Sequence, residues 1–346
     1  MKLSVAKEII KEILLQNLAN YKKPNYKIVV PYLVGLAGIG KTSIIYQIAE
    51  EISEAIKESF AVAELPLAQY SETDIAGWAL PNADRTAMVR VRPDWMPTGG
   101  KGIAFMDEMG QALTPVANAS RQVVNERRIN VHHLPDGWFV VAAGNRHGDR
   151  AGTNAIPTHM KDCLLFLEVE PDVEDTVRYF NGIGADNRVG SYLRFRPEWL
   201  SKFERDADAC PSPRSWERVA SIINYNLGPL AMSETISGMV GKAACVDFMT
   251  YLRSFSKLPP VDEVLADPDG TRVPDDMGAV YALCGALASN MTDKNASAIF
   301  KYVSKLADKE FIAFLVKDAV ARDPSLKQNK SLRQWVMDEG RDLLLG

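Results

Sequence analysis

A chain of 346 residues with 47% hydrophobic and 24% charged content has room for two or three domains and the composition of an ordinary globular protein. A net charge of −4 without a long Lys or Arg run gives no indication of nucleic acid as the main partner. No run of eighteen apolar residues appears, the N-terminus lacks the apolar stretch of a secretory signal, and Cys163, Cys210, Cys245 and Cys284 form no Cys-x-x-Cys pair; a membrane span, a zinc site and a disulfide framework are therefore not indicated, and a reduced, cytoplasmic setting is expected.

Residues 5–20 carry Val5, Ile9, Ile10, Ile13, Leu14 and Leu18 at helical spacing. Residues 27–34 are β-branched and aromatic, and Tyr32–Val34 read as a buried strand. A Gly-rich segment follows, and then a helix over Ser43–Lys57 with Ile44, Ile45, Ile48, Ile52 and Ile56 on its apolar side. Phe60–Leu67 reads as a second strand, Gly102–Met106 as a third, Val116–Asn125 as a helix, and Trp138–Ala143 and Leu164–Val169 as further strands. Such alternation predicts an α/β three-layer domain with a parallel sheet covered on both faces. After Pro171 helical patterns dominate. Three domains are expected: the α/β domain at 1–170, a helical lid at 171–258 and a helical C-terminal extension at 259–346, with the Pro-, Asp- and Gly-rich stretch Pro259–Pro274 as a surface linker.

The strongest chemical signal is Gly35-Leu36-Ala37-Gly38-Ile39-Gly40-Lys41-Thr42, a phosphate-binding loop between strand and helix, with Ser43 in the first helical turn. Backbone N–H groups of a tight glycine loop approach a triphosphate closely, and the helix N-terminus adds its dipole. Lys41 is expected to neutralise the β- and γ-phosphates of ATP and Thr42 to ligate Mg²⁺. About sixty residues on, Gly102-Ile-Ala-Phe-Met-Asp107-Glu108 ends a buried strand on two carboxylates. Asp107 is assigned to the Mg²⁺ shell and Glu108 to the attacking water. Asn145, ending the run from Phe139, suits a water-positioning amide, although asparagine in a loop is otherwise a turn former. Arg214 falls in the first turn of a helix started by Ser212 and Pro213, against the helix dipole. It reads either as an arginine awaiting another anion or as a solvated one.

Phosphate loop, Asp-Glu strand end, Asn strand end and late Arg occur in the order found in AAA+ ATPases. Residues 33–220 resemble the MoxR branch, close to the dynein-related group, through Gly35–Thr42, Thr73-Asp-Ile-Ala-Gly77, Gly102–Gly110, Pro135–Arg146 and Pro213-Arg-Ser-Trp-Glu217. The similarity continues through Phe195-Arg-Pro197 to Lys317–Pro324. It implies that Asn145 is sensor 1 and Arg214 is sensor 2. It also implies a ring homo-oligomer, usually a hexamer, with ATP between subunits, acting as a remodelling or maturation factor, often with a von Willebrand A domain partner. One position departs from the family pattern: Cys163 stands where a trans-acting arginine is expected. A thiol supplies no positive charge, which leaves three outcomes: another residue serves, with Arg146, Arg150 or Lys161 the nearest in sequence, or hydrolysis is slow, or ATP is used mainly for assembly. The alternatives to an active remodelling ATPase are therefore a nucleotide-gated scaffold with little turnover and a nucleic-acid motor or helicase loader, the last disfavoured by the acidic balance.

Three other features are weaker. His132 and His133 are adjacent and face opposite ways on a strand, which disfavours a metal site. Arg127 and Arg128 follow a helix and read as a solvated face or as the border of a pore or interface. Trp78 and Trp95 flank an irregular stretch; both indoles are expected to pack over it, the alternative from the ring-ATPase resemblance being substrate contact in a region that faces the pore.

Overall fold

The computed structural model describes residues 1–146, 156, 158–204, 207–255 and 258–340. The chain divides into two compact units, Met1–Glu170 and Pro171–Gly346.

The first unit is built on five parallel strands: β1 (Val30–Val34), β2 (Phe60–Pro66), β3 (Lys101–Asp107), β4 (Trp138–Gly144) and β5 (Leu164–Glu168). Their order across the sheet is β2-β3-β4-β1-β5. In register, Val34 of β1 lies beside Gly144 of β4, and Met106 of β3 beside Ala142. The strands are nearly continuous apolar runs because both faces are covered. Alternation sends successive side chains to opposite sides. Leu33, Ile103, Phe105, Phe139 and Val141 join one core with Ile10 and Leu14 of α1 (Leu3–Asn20) and Ile45, Ile48 and Ile52 of α2 (Lys41–Ile56). Tyr32, Ala104, Met106, Val140 and Ala142 join the other with Ile75 and with Val116, Val123 and Val124 of the helix Thr114–Glu126. This is the expected three-layer α/β fold, with element ends shifted by one or two residues.

Sheet order positions the site. The chain leaves β1 and crosses to β2, the far edge, and later β4 feeds β5 on the other side of β1. Open parallel sheets bind ligands beyond the strand C-termini where the winding direction reverses. The C-terminal ends of β1, β4 and β3 are neighbours there.

Two short hairpins escaped the pattern reading: Ala79–Pro81 with Met88–Arg90, and Arg128–Ile129 with His132–His133. Trp95 is buried, as expected, and its Nε1 donates to the Ile75 carbonyl (3.3 Å), but Trp78 stays 66% exposed. Arg127 is not on a solvated face: Nε donates to the Trp138 carbonyl (2.9 Å), Nη2 to that of Pro135 (3.0 Å), and the guanidinium lies over Phe139. It satisfies carbonyls 8 and 11 residues further along the chain, a role invisible in local composition. His132 and His133 lie on a two-residue strand, and His132 Nε2 bonds to the Arg90 carbonyl (2.9 Å).

The second unit is helical, with no strand among its described residues. One of its cores gathers Tyr192, Trp216, Phe248 and Tyr251; the other gathers Leu283, Ile299, Tyr302 and Leu315. The helix Met277–Ser289 supplies Ala282 to the first and Leu283 and Leu287 to the second. Arg194, its side chain 5% exposed, bonds Asp318 (2.6 and 2.8 Å) and Glu174 (2.7 and 2.9 Å), joining three helices. Pro259–Pro274 is not a linker. It contains the helix Val261–Ala266, whose Val264 is fully buried, and the Thr271 hydroxyl donates to the Asp267 carbonyl (2.8 Å). Val261, Val264 and Leu265 share one helical side, which outweighs the Pro and Asp content. No described helix is long and apolar enough to cross a membrane.

Candidate functional site

The loop Gly35–Gly40 runs from the end of β1 to the start of α2. Its glycines have steric reasons. A Cβ on Gly35 would stand 2.7 Å from both the Val169 carbonyl and the Ile39 side chain, and Gly40 sits at φ +97° as the cap of α2. Ala37 is exposed on the loop and Gly38 is also at positive φ, while Ile39 is anchored in the core below and partly buried Leu36 packs against it.

Lys41 opens α2 and is 8% exposed. Its Nζ donates to the carbonyls of Gly35 (2.7 Å) and Leu36 (2.8 Å) and to Asn145 Oδ1 (3.0 Å). The ammonium thus sits at the mouth of the loop, gripped by neutral oxygens that an anion can replace. Thr42 Oγ1 donates to Asp107 Oδ2 (2.7 Å), across 65 residues of chain. The other oxygen of Asp107 accepts the Glu108 amide (2.8 Å). Strands β1, β4 and β3 therefore bring the loop, Asn145 and Asp107 to one edge, and the bonds above link them in two pairs. Ser43 is exposed in the first turn of α2.

Glu108 is half-buried and has left-handed backbone angles, φ +57° and ψ +29°. A non-glycine residue there costs on the order of 1 kcal/mol. The following turn holds it, with the Gln111 amide donating to the Glu108 carbonyl (2.8 Å). The chain therefore turns sharply just past Asp107, and the second carboxylate leaves the strand direction.

A pair missed by the sequence reading lies nearby. Tyr46, one turn after Thr42 on α2, donates its hydroxyl to Glu64 Oε2 of β2 (2.6 Å). That hydrogen bond, with burial and the charges of Glu64 and Asp107, pushes the Tyr46 phenol up to about 12. The i, i+4 spacing from Thr42 was the available signal.

Thr42 and Asp107 together offer two hard oxygens at one point. They suit Mg²⁺, which keeps octahedral geometry and takes its remaining ligands from phosphate and water. Among the described residues no group of three or more His, Cys, Asp or Glu side chains is placed to hold a metal without such help.

The remaining candidates lie elsewhere. Arg146 follows Asn145, and its guanidinium meets Glu168 (3.0 Å), Glu170 (3.2 Å) and the Val169 carbonyl (3.2 Å) of its own chain. Lys161 is exposed at the end of the short helix Thr158–Lys161, and Cys163 is half-buried against a sheet core. Arg150 lies outside the described residues. Arg214 belongs to the second unit, exposed in the first turn of the helix Pro213–Ile222, where Ser212 and Ser215 form a capping box.

No family model and no curated protein matches this chain. Solved structures do resemble it at low identity. The Thermotoga maritima RuvB Holliday junction branch migration motor is 14% identical over 88% of this chain and 88% of its own, with a TM-score of 0.39. NtrX from Brucella abortus, in complex with ADP, is 10% identical over 98% of this chain and 68% of its own, also with a TM-score of 0.39.

Proposed function

We propose that this chain is an ATPase of the AAA+ class. The carrying observation is that Lys41, Thr42, Asp107 and Asn145, scattered over more than a hundred residues, converge on one edge of the sheet with their polar atoms already paired. In this reading the amides of the loop and the Lys41 ammonium bind the β- and γ-phosphates of ATP. Lys41 exchanges its carbonyl partners for phosphate oxygens as the nucleotide enters. Thr42 and Asp107 hold Mg²⁺, which when bound offsets the charge on the transferring phosphoryl group. Glu108 takes the proton of the attacking water, and Asn145 orients that water. Arg214 serves as the arginine that reads the γ-phosphate.

The finer reading is a MoxR-type remodelling or maturation factor, working as a ring, a hexamer by resemblance, on a protein client that carries or accompanies a von Willebrand A domain. Residues 171–258 then act as the lid and 259–346 as its extension, sharing the helix Met277–Ser289.

A second reading, a nucleotide-gated scaffold with little turnover, is favoured by one observation. Arg146, which follows Asn145 in sequence, is engaged by Glu168 and Glu170 of its own chain, and Cys163 offers no charge. Steady-state ATP hydrolysis measured across protein concentrations separates the two. Specific activity that rises with concentration supports a ring completed in trans. ATP bound without turnover at any concentration supports the scaffold.

A further inference from the structure

The second unit carries a groove of about 420 Å³ that the ATPase reading does not use. One wall is the helix Glu310–Arg322, which contributes Val316 and Val320, one turn apart. The other is the helix Lys330–Trp335 with the π-helical turn Val336–Gly340, contributing Leu332 and Val336, again one turn apart. Val316 and Leu332 are buried and form the floor. Lys317, Lys327 and Arg333 line the groove with exposed side chains, and none of its described lining residues is acidic. Met337 stands at its edge, 77% exposed.

We infer that this groove binds an acidic amphipathic helix of a partner protein. An apolar floor between two helices offers the seat that a third helix fills, and rows one turn apart match apolar residues at i and i+4 on the incoming helix. Aliphatic walls with an unbranched methionine at the rim adapt to leucine-type side chains. The cations choose the charge of the occupant: glutamates or aspartates flanking its apolar stripe meet Lys327 and Arg333, whereas a basic helix is repelled.

The test uses the full chain and a fluorescein-labelled synthetic peptide of about 18 residues, with Leu at i, i+3, i+4 and i+7 and Glu and Gln elsewhere. A second peptide carries Lys for every Glu. Fluorescence anisotropy is expected to give at least tenfold tighter binding of the acidic peptide, weakening as salt is raised. Met337→Glu and the double variant Lys327→Glu/Arg333→Glu alter exposed side chains. Each is expected to weaken acidic-peptide binding at least tenfold without moving the thermal midpoint. Equal binding of the two peptides, or acidic-peptide binding indifferent to both variants, overturns the proposal. So does a tenfold gain in affinity on removing residues 341–346, which would make the chain's own end the occupant.

Discussion

Lys41→Met probes the phosphate loop through two quantities that should move differently. The variant keeps most of the side-chain volume of a residue that is 8% exposed but removes its charge and its hydrogen bonds to Gly35, Leu36 and Asn145. Without nucleotide the losses offset. A buried cation and its desolvation cost disappear, while three oxygens lose a donor, so the free protein should change by no more than about 1–2 kcal/mol. With ATP the loss is one-sided. Two charge-assisted bonds to phosphate at about 1.5–3 kcal/mol each, discounted for the partners they replace, leave about 2.7 kcal/mol, or a 100-fold weaker Kd. Thermal unfolding with and without Mg²⁺–ATP reads both. At an ATP concentration 100 times the unmodified Kd, binding stabilises the protein by about 2.7 kcal/mol; after a 100-fold loss the same concentration gives about 0.4 kcal/mol. A variant that retains the full ATP-induced shift would refute Lys41 as a phosphate ligand.

Thr42→Ala should remove the Mg²⁺ dependence of ATP binding; calorimetric titration with and without chelator should show a drop of about tenfold in the Mg²⁺-containing affinity and little change without the metal. Arg194→Met removes the guanidinium that pairs with buried Asp318 and should destabilise the helical unit by about 3–5 kcal/mol in urea unfolding; a loss below about 1 kcal/mol would show the network to be incidental. Burial pushes the Asp186 carboxyl up, but hydrogen bonds from the Arg188 guanidinium and amide and from Asn224 outweigh it and hold the group below the usual range. Its stabilising contribution is therefore present above the unfolded value near 3.9 and is lost as pH falls through the lower folded value. Asp186→Asn keeps a helix-capping side chain, so its stability deficit should be measurable at pH 6 and shrink steadily as pH falls below the unfolded value near 3.9; a deficit that stays constant on acidification contradicts the assignment.

The central strands were legible because a parallel sheet covered on both faces leaves continuous β-branched and aromatic runs such as Phe139–Ala143. The loop was legible because Gly35 and Gly40 answer local steric needs that only glycine meets. What was not legible depends on contacts far apart in sequence. Arg127 reads as a surface cation until the Trp138 and Pro135 carbonyls are seen to need donors, and Arg194 finds its partners 20 and 124 residues away. Val261, Val264 and Leu265 line one side of a single short turn of helix in a stretch whose Pro, Asp and Gly content marks it as a linker. The left-handed turn at Glu108 has no signature either, since glutamate is not a residue that favours it.

The most direct test of ATP hydrolysis at this site is Glu108→Gln, measured for nucleotide affinity and single-turnover hydrolysis in parallel. The amide keeps the shape of the side chain and removes only its capacity to take a proton. ATP affinity should stay within about threefold of the unmodified protein, while hydrolysis falls by about 10²–10⁴. Hydrolysis at the unmodified rate would contradict the assignment of Glu108, and failure of both proteins to bind ATP would contradict the account as a whole.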